Sequence, residues 1–245
     1  MCTVTFVPVK DKYFITSNRD ERCGRKNAIP PASYKFDKGQ VIYPKDADAG
    51  GSWIAVHENG NAAVLLNGAF QKHNIRGSYK SSRGIVFLEI IKASLPVRYF
   101  TRLDLSGIEP FTLIILDNNS LYECRWDGDR KHCRQLRKNH HYIWSSSTLY
   151  DDEVAKKREQ WFAAFLNKHP KPTQEDILNF HQHAGHNDKQ NALKMDRNGI
   201  ISTVSLTTVA LDNESGTMKY IDLKENKIYE KEIMFPYSLQ DEIIF

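Results

Sequence analysis

The sequence has no long hydrophobic run. No stretch approaches the roughly 20 consecutive apolar residues that a membrane-spanning helix needs, so we expect no such helix. Apolar residues make up 40% of the chain and charged residues 26%, which is typical of a soluble globular protein. The first nine residues lack a basic start and a small-residue cleavage site, so no secretory signal peptide is predicted.

Cysteine is scarce. The four cysteines, at positions 2, 23, 124 and 133, form no C-x-x-C pair. In a chain of this length without an export signal, they are most simply reduced thiols, and we expect a cytoplasmic protein. Cys124 and Cys133 flank a predicted hairpin and are expected to be cross-strand neighbours that remain unbonded thiols.

A dense stripe of positive charge is also missing. The formal net charge is only +4, and the one short basic cluster, residues 130–134, alternates in character like a strand. A nucleic-acid-binding surface needs a denser stripe or a recognisable module, so no nucleic-acid partner is predicted.

The periodicity of the chain indicates strands, helices, strands, helices and strands in turn. Residues 3–7 and 13–16 form one predicted hairpin, and residues 52–56 and 62–67 form a second around an Asn-Gly turn. Helices are predicted after Ser82, Pro96, Asp151 and Thr173. Strands from 111 to 144 read as one antiparallel meander, and residues 20–40, 68–80 and 185–200 read as loops. This pattern predicts an α+β fold of two antiparallel sheets with helices outside, and a single domain over residues 1–245.

Cys2 is the first candidate for chemistry. Removal of the initiator methionine would leave a chain that begins with cysteine, so that a thiol and an α-amino group would share one residue. The α-amine has a pKa near 8 and can act as a base close to neutral pH. One residue can thus supply both nucleophile and general base. The alternative is an ordinary second residue at a chain terminus.

The stretch Ser17-Asn18-Arg19-Asp20-Glu21 ends the second strand of the first hairpin. The hairpin brings residues 18–20 to the same end of the sheet as residue 2. Arg19 can lower the pKa of a thiol there, and Asp20 can hold an α-ammonium group. Asn67, at the end of another strand, can donate to a developing oxyanion. Each of these positions also has a plainer interpretation as a charged or polar turn.

Taken together, these motifs resemble one family. The chain starts Met-Cys-Thr, has Asn-Arg-Asp-Glu at 18–21, Gly-Gly-Ser-Trp-Ile-Ala at 50–55, and Trp-Ser-Ser-Ser-Thr-Leu-Tyr at 144–150. This combination resembles the NRDE family, also called the transport and Golgi organisation 2 family, through about residue 165. That family is similar to the N-terminal-nucleophile hydrolases of the penicillin V acylase and bile salt hydrolase type.

The resemblance implies a four-layer αββα sandwich and a set of site residues. It implies that Cys2 is the nucleophile, that Arg19 and Asp20 support it, that Asn67 lies in the oxyanion hole, and that Arg197 helps to hold the nucleophile. Asn18, Trp53 and Phe70 are expected to contact a substrate. The implied activity is hydrolysis of a non-peptide linear amide, a small-molecule amide or acyl compound, without a cofactor.

A binding or carrier protein on the same fold is the alternative function. It would handle haem or an acyl group, with His57 and His73 as the histidines nearest the predicted loops. Hydrolysis requires a free N-terminal cysteine, whereas a carrier needs only a pocket. The pattern His-x-His-x-x-His at 181–186 invites a metal interpretation, but no carboxylate or cysteine follows at ligand spacing, so no metal site is predicted. The sequence does not indicate an oligomeric state.

Overall fold

The computed structural model describes residues 3–73 and 78–235, and Cys2 therefore lies outside the described residues. One sheet, here the first sheet, has the strand order β10-β1-β2-β12-β13-β14, with β11 paired to β12. Its strands are β1 (Thr3–Val9), β2 (Lys12–Arg22), β10 (Tyr142–Ser145), β11 (Asp196–Arg197), β12 (Ile201–Leu211), β13 (Ser215–Asp222) and β14 (Lys227–Met234). All pairings are antiparallel.

The second sheet follows the chain order without crossovers, from β3 to β9. Its strands are β3 (Ile29–Phe36), β4 (Gly39–Lys45), β5 (Ile54–His57), β6 (Ala62–Asn67), β7 (Phe111–Asp117), β8 (Ser120–Trp126) and β9 (Lys131–Leu136). The helices are α1 (Arg83–Ile91), α2 (Pro96–Arg102), α3 (Asp152–Lys168) and α4 (Gln174–His183). Helices α1 and α2 contact the second sheet, and α3 and α4 contact the first sheet. The order of layers is therefore αββα, as expected.

Alternation along the strands of the first hairpin builds two cores. Val4, Phe6 and Ile15 point into the large core between the sheets. Val7 and Phe14 point the other way, into the core beneath α3 and α4. Because side chains alternate between faces along a strand, each strand of this hairpin contributes to both cores.

Three helices begin at the capping residues that the sequence predicts. Ser82 and Asp151 accept hydrogen bonds from the backbone of the first turns of α1 and α3. Thr173 and Asp176 form a reciprocal capping box at the start of α4. These side chains satisfy N–H groups that have no partner inside a helix, which is why the starts were predictable.

Two predictions about the strands were wrong. The segment expected as a loop over residues 20–40 contains β3 and the start of β4. The Pro30-Pro31 pair argues against a strand, because proline has no N–H group for the ladder. However, β3 lies at a sheet edge and its register is irregular between Ile29 and Ala32, so the missing N–H groups break no regular ladder there. Strand β10 leaves the meander and pairs with β1 in the first sheet.

Cys124 and Cys133 are joined as a disulfide, in contrast to the separate thiols that we expected. They lie directly opposite each other on β8 and β9, with Cα atoms 4.3 Å apart. This short spacing is typical of the close pairs in an antiparallel ladder.

Candidate active site

Arg19 is fixed between the two sheets. It lies on β2 and faces the second sheet. Its Nη2 donates to Asp46 Oδ2, just after β4, at 2.6 Å and to Glu21 Oε2, on its own strand, at 3.3 Å. Its guanidinium carbon lies 4.6 Å from the centre of the Trp53 ring. The Nε and Nη1 groups donate to no described residue. Only 4% of Arg19 is exposed, so this buried cation has donors left over for a ligand.

Asp46 holds Arg19 in place. The carboxylate follows β4, and its Oδ1 accepts from the backbone N–H groups of Asp48 and Ala49 at 3.0 and 2.8 Å. Burial alone would raise the pKa of Asp46. The Ala49 N–H and the charges of Arg19 and Arg25 outweigh burial and lower that pKa below its ordinary value. Asp46 is therefore an anion at neutral pH.

A cleft of about 230 Å³ opens beside this pair. It brings together three predicted site residues, Arg19, Trp53 and Asn67. The side-chain amide of Asn67 makes no hydrogen bond to any described residue, while its backbone oxygen accepts from Ser146 at 2.8 Å. The remaining walls include charged side chains from several elements: Glu21, Arg25, Asp46, Arg83 and Glu109. We call this space the Arg19 cleft.

The Gly-Gly-Ser-Trp motif shapes the floor of the Arg19 cleft. Gly51 lies directly against Gly84 at the start of α1, and a Cβ atom on Gly51 would meet the Gly84 carbonyl carbon at 2.4 Å. The Ser52 N–H donates to the Gly84 oxygen at 3.2 Å. Two glycines in contact thus allow a strand end and a helix start to approach closely, with Trp53 next in the chain.

Asp20 lies on the opposite face of β2 from Arg19. Its Oδ2 accepts from the Tyr150 hydroxyl at 2.8 Å, and its Oδ1 accepts from Thr203 Oγ1 at 2.5 Å. Asp20 is 4% exposed. The two predicted neighbours of Cys2 are therefore held by separate networks on the two faces of one strand. Tyr150 and Thr203 were not among the predicted site residues, although Tyr150 ends the motif at 144–150.

Asn18 does not face the Arg19 cleft. It is fully buried under α4, where its Nδ2 donates to the backbone oxygens of His181 and Leu193 at 3.2 and 2.7 Å. We expected Asn18 to contact a substrate. Instead, it shares the helix-facing side of β2 with Asp20, and its side-chain amide is already engaged in these hydrogen bonds. In this position it supports the fold.

His181 is a buried neutral residue. Its Nδ1 contacts Asn18 Oδ1, which can only accept, so Nδ1 carries the proton and Nε2 accepts from Thr5 Oγ1 at 2.8 Å. Burial, with a smaller contribution from the charge of Arg158, lowers the pKa of His181 to about 3. Within residues 3–73 and 78–235 no group of side chains is arranged to hold a metal ion.

Arg197 packs against Tyr150, the residue whose hydroxyl donates to Asp20. Its Nη2 donates to the Leu149 oxygen at 3.0 Å and its Nε to the Gln190 oxygen at 3.2 Å. Its guanidinium carbon is 5.2 Å from the centre of the Tyr150 ring. Arg197 therefore contacts the tyrosine that holds Asp20 and does not line the Arg19 cleft.

Phe70 lines a different, larger cavity of about 610 Å³. Phe70 is 53% exposed, and its ring lies 4.8 Å from the guanidinium carbon of Arg125. Tyr150 also lines this cavity, on the side nearest Asp20. The two aromatic residues expected to contact a substrate are thus divided, with Trp53 in the Arg19 cleft and Phe70 in the larger cavity.

The two histidines of the haem alternative are not brought together at this site. His57 is 3% exposed, and its Nδ1 accepts from the backbone of Asn59 in the β5–β6 turn, at the opposite end of β5 from Trp53. Burial lowers the pKa of His57. His73 Nε2 lies 3.2 Å from Glu109 Oε1, next to the Arg19 cleft.

None of the helices formed by the described residues is both long and apolar enough to cross a membrane. The family model for Transport and Golgi organisation 2 matches residues 1–222. No curated protein matches the sequence.

Solved structures with the same fold include a Caenorhabditis elegans N-acylethanolamine-hydrolyzing acid amidase ortholog. It matches with a TM-score of 0.60 at 12% identity, over 84% of this chain and 92% of that chain. A variant of conjugated bile acid hydrolase from Clostridium perfringens, with an arginine replaced by leucine, matches with a TM-score of 0.52 at 13% identity. That match covers 94% of this chain and 92% of the hydrolase chain. At these identities the likeness establishes the N-terminal-nucleophile hydrolase fold.

Proposed function

Because the chain belongs to the transport and Golgi organisation 2 family, we propose that it hydrolyses a non-peptide linear amide with Cys2 as its nucleophile. The observation that carries the proposal is the pair of supported charges at the end of β2. Arg19 is held by Asp46, and Asp20 is held by Tyr150 and Thr203. Both structures compared above are named as hydrolases, one of them an amidase.

The register of the first hairpin supports this assignment of roles. Thr3 pairs with Asn18, so an antiparallel ladder continued by one residue would set position 2 opposite Arg19. The unused N–H groups of Arg19 would then stabilise the Cys2 thiolate, and Asp20 would steady the α-ammonium group from the other face. Asn67 would donate its amide N–H to the oxyanion.

The proposed reaction has two steps. The α-amino group of Cys2 takes the thiol proton, the sulfur forms a bond to the amide carbonyl carbon, and the carbon–nitrogen bond breaks as the leaving amine receives that proton. Water then attacks the thioester and releases a carboxylic acid and the free thiol. In this proposal the protein works in the cytoplasm, where Cys2 stays reduced, and the Cys124–Cys133 disulfide is a structural one that resists reduction by glutathione.

The first test is intact-mass spectrometry of the natively produced protein before and after brief treatment with iodoacetamide. We expect loss of Met1 and fast alkylation of Cys2. Cys23, which is exposed and makes no disulfide, is the internal control for an ordinary thiol. Retained Met1, or a Cys2 no faster than Cys23, would contradict the proposal and direct attention to binding of haem and acyl-CoA.

The second test measures release of amine from a long-chain N-acylethanolamine and from a glycine-conjugated bile acid. We expect the Cys2→Ala protein to be inactive on any amide that the wild type cleaves, whereas the Cys23→Ala protein keeps full activity. Equal activity of wild type and Cys2→Ala would contradict the assignment of Cys2 as the nucleophile.

A further inference from the structure

Trp53 carries a buried hydrogen-bond donor that lacks a protein partner. The residue is 3% exposed, and its Nε1 donates to no acceptor among the described residues. Two other tryptophans show the usual arrangement, since Trp126 Nε1 donates to the Ile108 oxygen at 2.9 Å and Trp144 Nε1 donates to Glu123 Oε2 at 2.8 Å. A buried indole N–H normally finds an acceptor, because an unpaired one has lost its bonds to water without replacement. An acceptor on a bound ligand would satisfy the donor of Trp53.

The side-chain amide of Asn67 is a second donor on the same face of the second sheet. The Leu65 N–H donates to the Trp53 oxygen at 2.8 Å, so Leu65 and Trp53 lie opposite each other where β6 and β5 pair. Asn67 is two residues beyond Leu65, and residues two apart along a strand share a face. All three line the Arg19 cleft. The indole and the amide are therefore diagonal neighbours, at a spacing that lets one ligand contact both.

The first turn of α1 forms another part of the wall of this cleft. Ser82 and Gly84 line it, and the Gly84 N–H donates to no described residue. No acidic side chain lies in the first turn of α1, so the positive end of this helix is not offset there. Free N–H groups at the start of a helix favour an anionic ligand. The helix start thus agrees with the two side-chain donors on the kind of group that the cleft accepts.

The acidic side chains of the cleft are already paired. Glu21, Asp46 and Glu109 each lie close to an arginine nitrogen, at 3.3, 2.6 and 3.1 Å. Arg19, whose guanidinium carbon lies 4.6 Å from the centre of the Trp53 ring, adds a positive charge beside the indole. The groups that lack partners in this cleft are therefore N–H donors. A carboxylate matches them, because its two oxygens accept about four hydrogen bonds and it carries the opposite charge.

We propose that the Arg19 cleft binds a carboxylate group, with the Trp53 N–H and the Asn67 amide as donors and the start of α1 as a further source of N–H groups. The ligand class is a monocarboxylic acid, the acid that cleavage of an amide releases, and in this respect the inference rests on the proposed function. One oxygen of that acid is the former amide oxygen, which the proposed reaction already assigns to Asn67. Trp53 is then a donor to the acyl group rather than only an apolar contact.

The test is isothermal titration calorimetry of the full-length protein at pH 7 with octanoate, octanol and inorganic phosphate. We expect octanoate to bind, and octanol, which has the same chain without the carboxylate, to bind at least tenfold more weakly. Trp53→Phe keeps an aromatic ring but removes the N–H, and it should weaken octanoate binding about tenfold. Trp126→Phe removes an indole N–H that donates to Ile108 outside the cleft, and it should stay within about twofold of wild type.

Three results would overturn the inference: equal binding of octanoate and octanol, tighter binding of phosphate than of octanoate, or wild-type affinity in a folded Trp53→Phe protein. If Trp53→Phe does not fold, Asn67→Ala decides, because that side chain bonds to no described residue. We expect Asn67→Ala to bind octanoate about fivefold more weakly, and wild-type affinity there would also overturn the inference.

The proposed function fails by a different measurement, if Cys2 reacts with iodoacetamide no faster than Cys23. Selective octanoate binding beside a slow Cys2 would leave the carboxylate site standing as that of a binding protein. A fast Cys2 in a protein that does not bind octanoate would leave the proposed function standing and remove only the carboxylate site.

Discussion

Arg19 and Asp46 connect the two sheets at the Arg19 cleft through a hydrogen-bonded ion pair of 2.6 Å. The side chain of Arg19 is 5% exposed and that of Asp46 is 13% exposed, so solvent screens the pair only weakly. Arg19 lies in the first sheet and Asp46 directly follows β4 of the second, and the pair therefore fixes both the packing of the layers and the direction of the guanidinium.

Replacing Asp46 by asparagine should destabilise the fold. The change leaves the buried Arg19 without its main partner, and breaking a buried pair in this way costs about 3 kcal/mol. We expect this loss in the free energy of unfolding measured with urea at pH 7. Because the pKa of Asp46 is lowered in the fold, its contribution is complete above about pH 4 and is lost as the pH falls further.

Asp48→Asn is the matched control for Asp46→Asn. Asp48 is two residues away, and its ion pairs with Arg25 and Lys26 are long, at 3.9 Å, and partly exposed. We expect a change below about 1 kcal/mol, as for other exposed pairs. Equal losses in the two variants would contradict the assignment of Asp46 as the partner that holds Arg19.

Replacing Gly51 by alanine should be severe. The added Cβ would meet backbone atoms of Gly84 and Ile85 at 2.4 and 2.7 Å, and a backbone cannot move aside as a side chain can. We expect a loss of about 3 kcal/mol or more in urea unfolding, with reduced activity because Trp53 shifts.

Gly24→Ala separates this clash from the general cost of removing a glycine. Gly24 has φ +95° and nothing within 4 Å of an added Cβ, so only the backbone conformation is strained. We expect a loss of about 1 kcal/mol there. A Gly51→Ala protein as stable as Gly24→Ala would show that the strand end and α1 separate easily.

Local signals in the sequence predicted much of this architecture. The first hairpin, the Asn-Gly hairpin and the helix caps depend on neighbours a few residues apart, and all are confirmed. The crossing of β10 to the first sheet and the edge strands β3 and β14 depend on tertiary packing. Strand β14 is charged and largely exposed, so alternation of apolar residues could not reveal it.

Site residues were harder to place than elements. Strand alternation already implies that Arg19 cannot share a face with Asn18 and Asp20, and this signal would have removed Asn18 from the substrate contacts. Arg158 occupies the buried stripe of α3, four residues from both Val154 and Phe162. An arginine at an apolar position of a helix was therefore visible in the sequence, but its hydrogen bond to Thr3 Oγ1 was not.

His181 should make stability depend on pH between about 3 and 6.5. Its pKa is about 3 in the fold, whereas the unfolded chain binds the proton near pH 6.5. The unfolded state therefore holds more protons in this window, and stability rises with pH by about 1 kcal/mol per unit. We expect the wild type to be clearly less stable to urea at pH 5 than at pH 7.

Two variants on α4 test this origin. His181→Gln removes this titrating ring and should reduce the slope, whatever its effect on stability at pH 7, leaving the contribution of other buried histidines such as His57. His183→Gln changes an exposed histidine two residues along and should leave the dependence unaltered. An undiminished slope in His181→Gln would assign the effect to other groups.

Tyr150→Phe tests whether the support of Asp20 matters for chemistry. The variant removes the hydroxyl that donates to Asp20 at 2.8 Å but keeps the ring that contacts Arg158 and Arg197. Loss of a hydrogen bond to a charged group should cost about 2 kcal/mol of stability. On an amide that the wild type cleaves, we expect kcat/KM to fall at least tenfold, because Thr203 is then the only described residue that holds Asp20, and Asp20 is oriented less well.

Tyr142→Phe is the control, since its hydroxyl donates to the backbone oxygen of Arg137 near the protein surface. It should change neither stability nor kcat/KM appreciably. The informative comparison is between the two readouts in Tyr150→Phe. If activity is normal in a protein that has lost the expected stability, the Tyr150–Asp20 bond serves the fold alone, and Asp20 does not steer the amine of Cys2 through this contact.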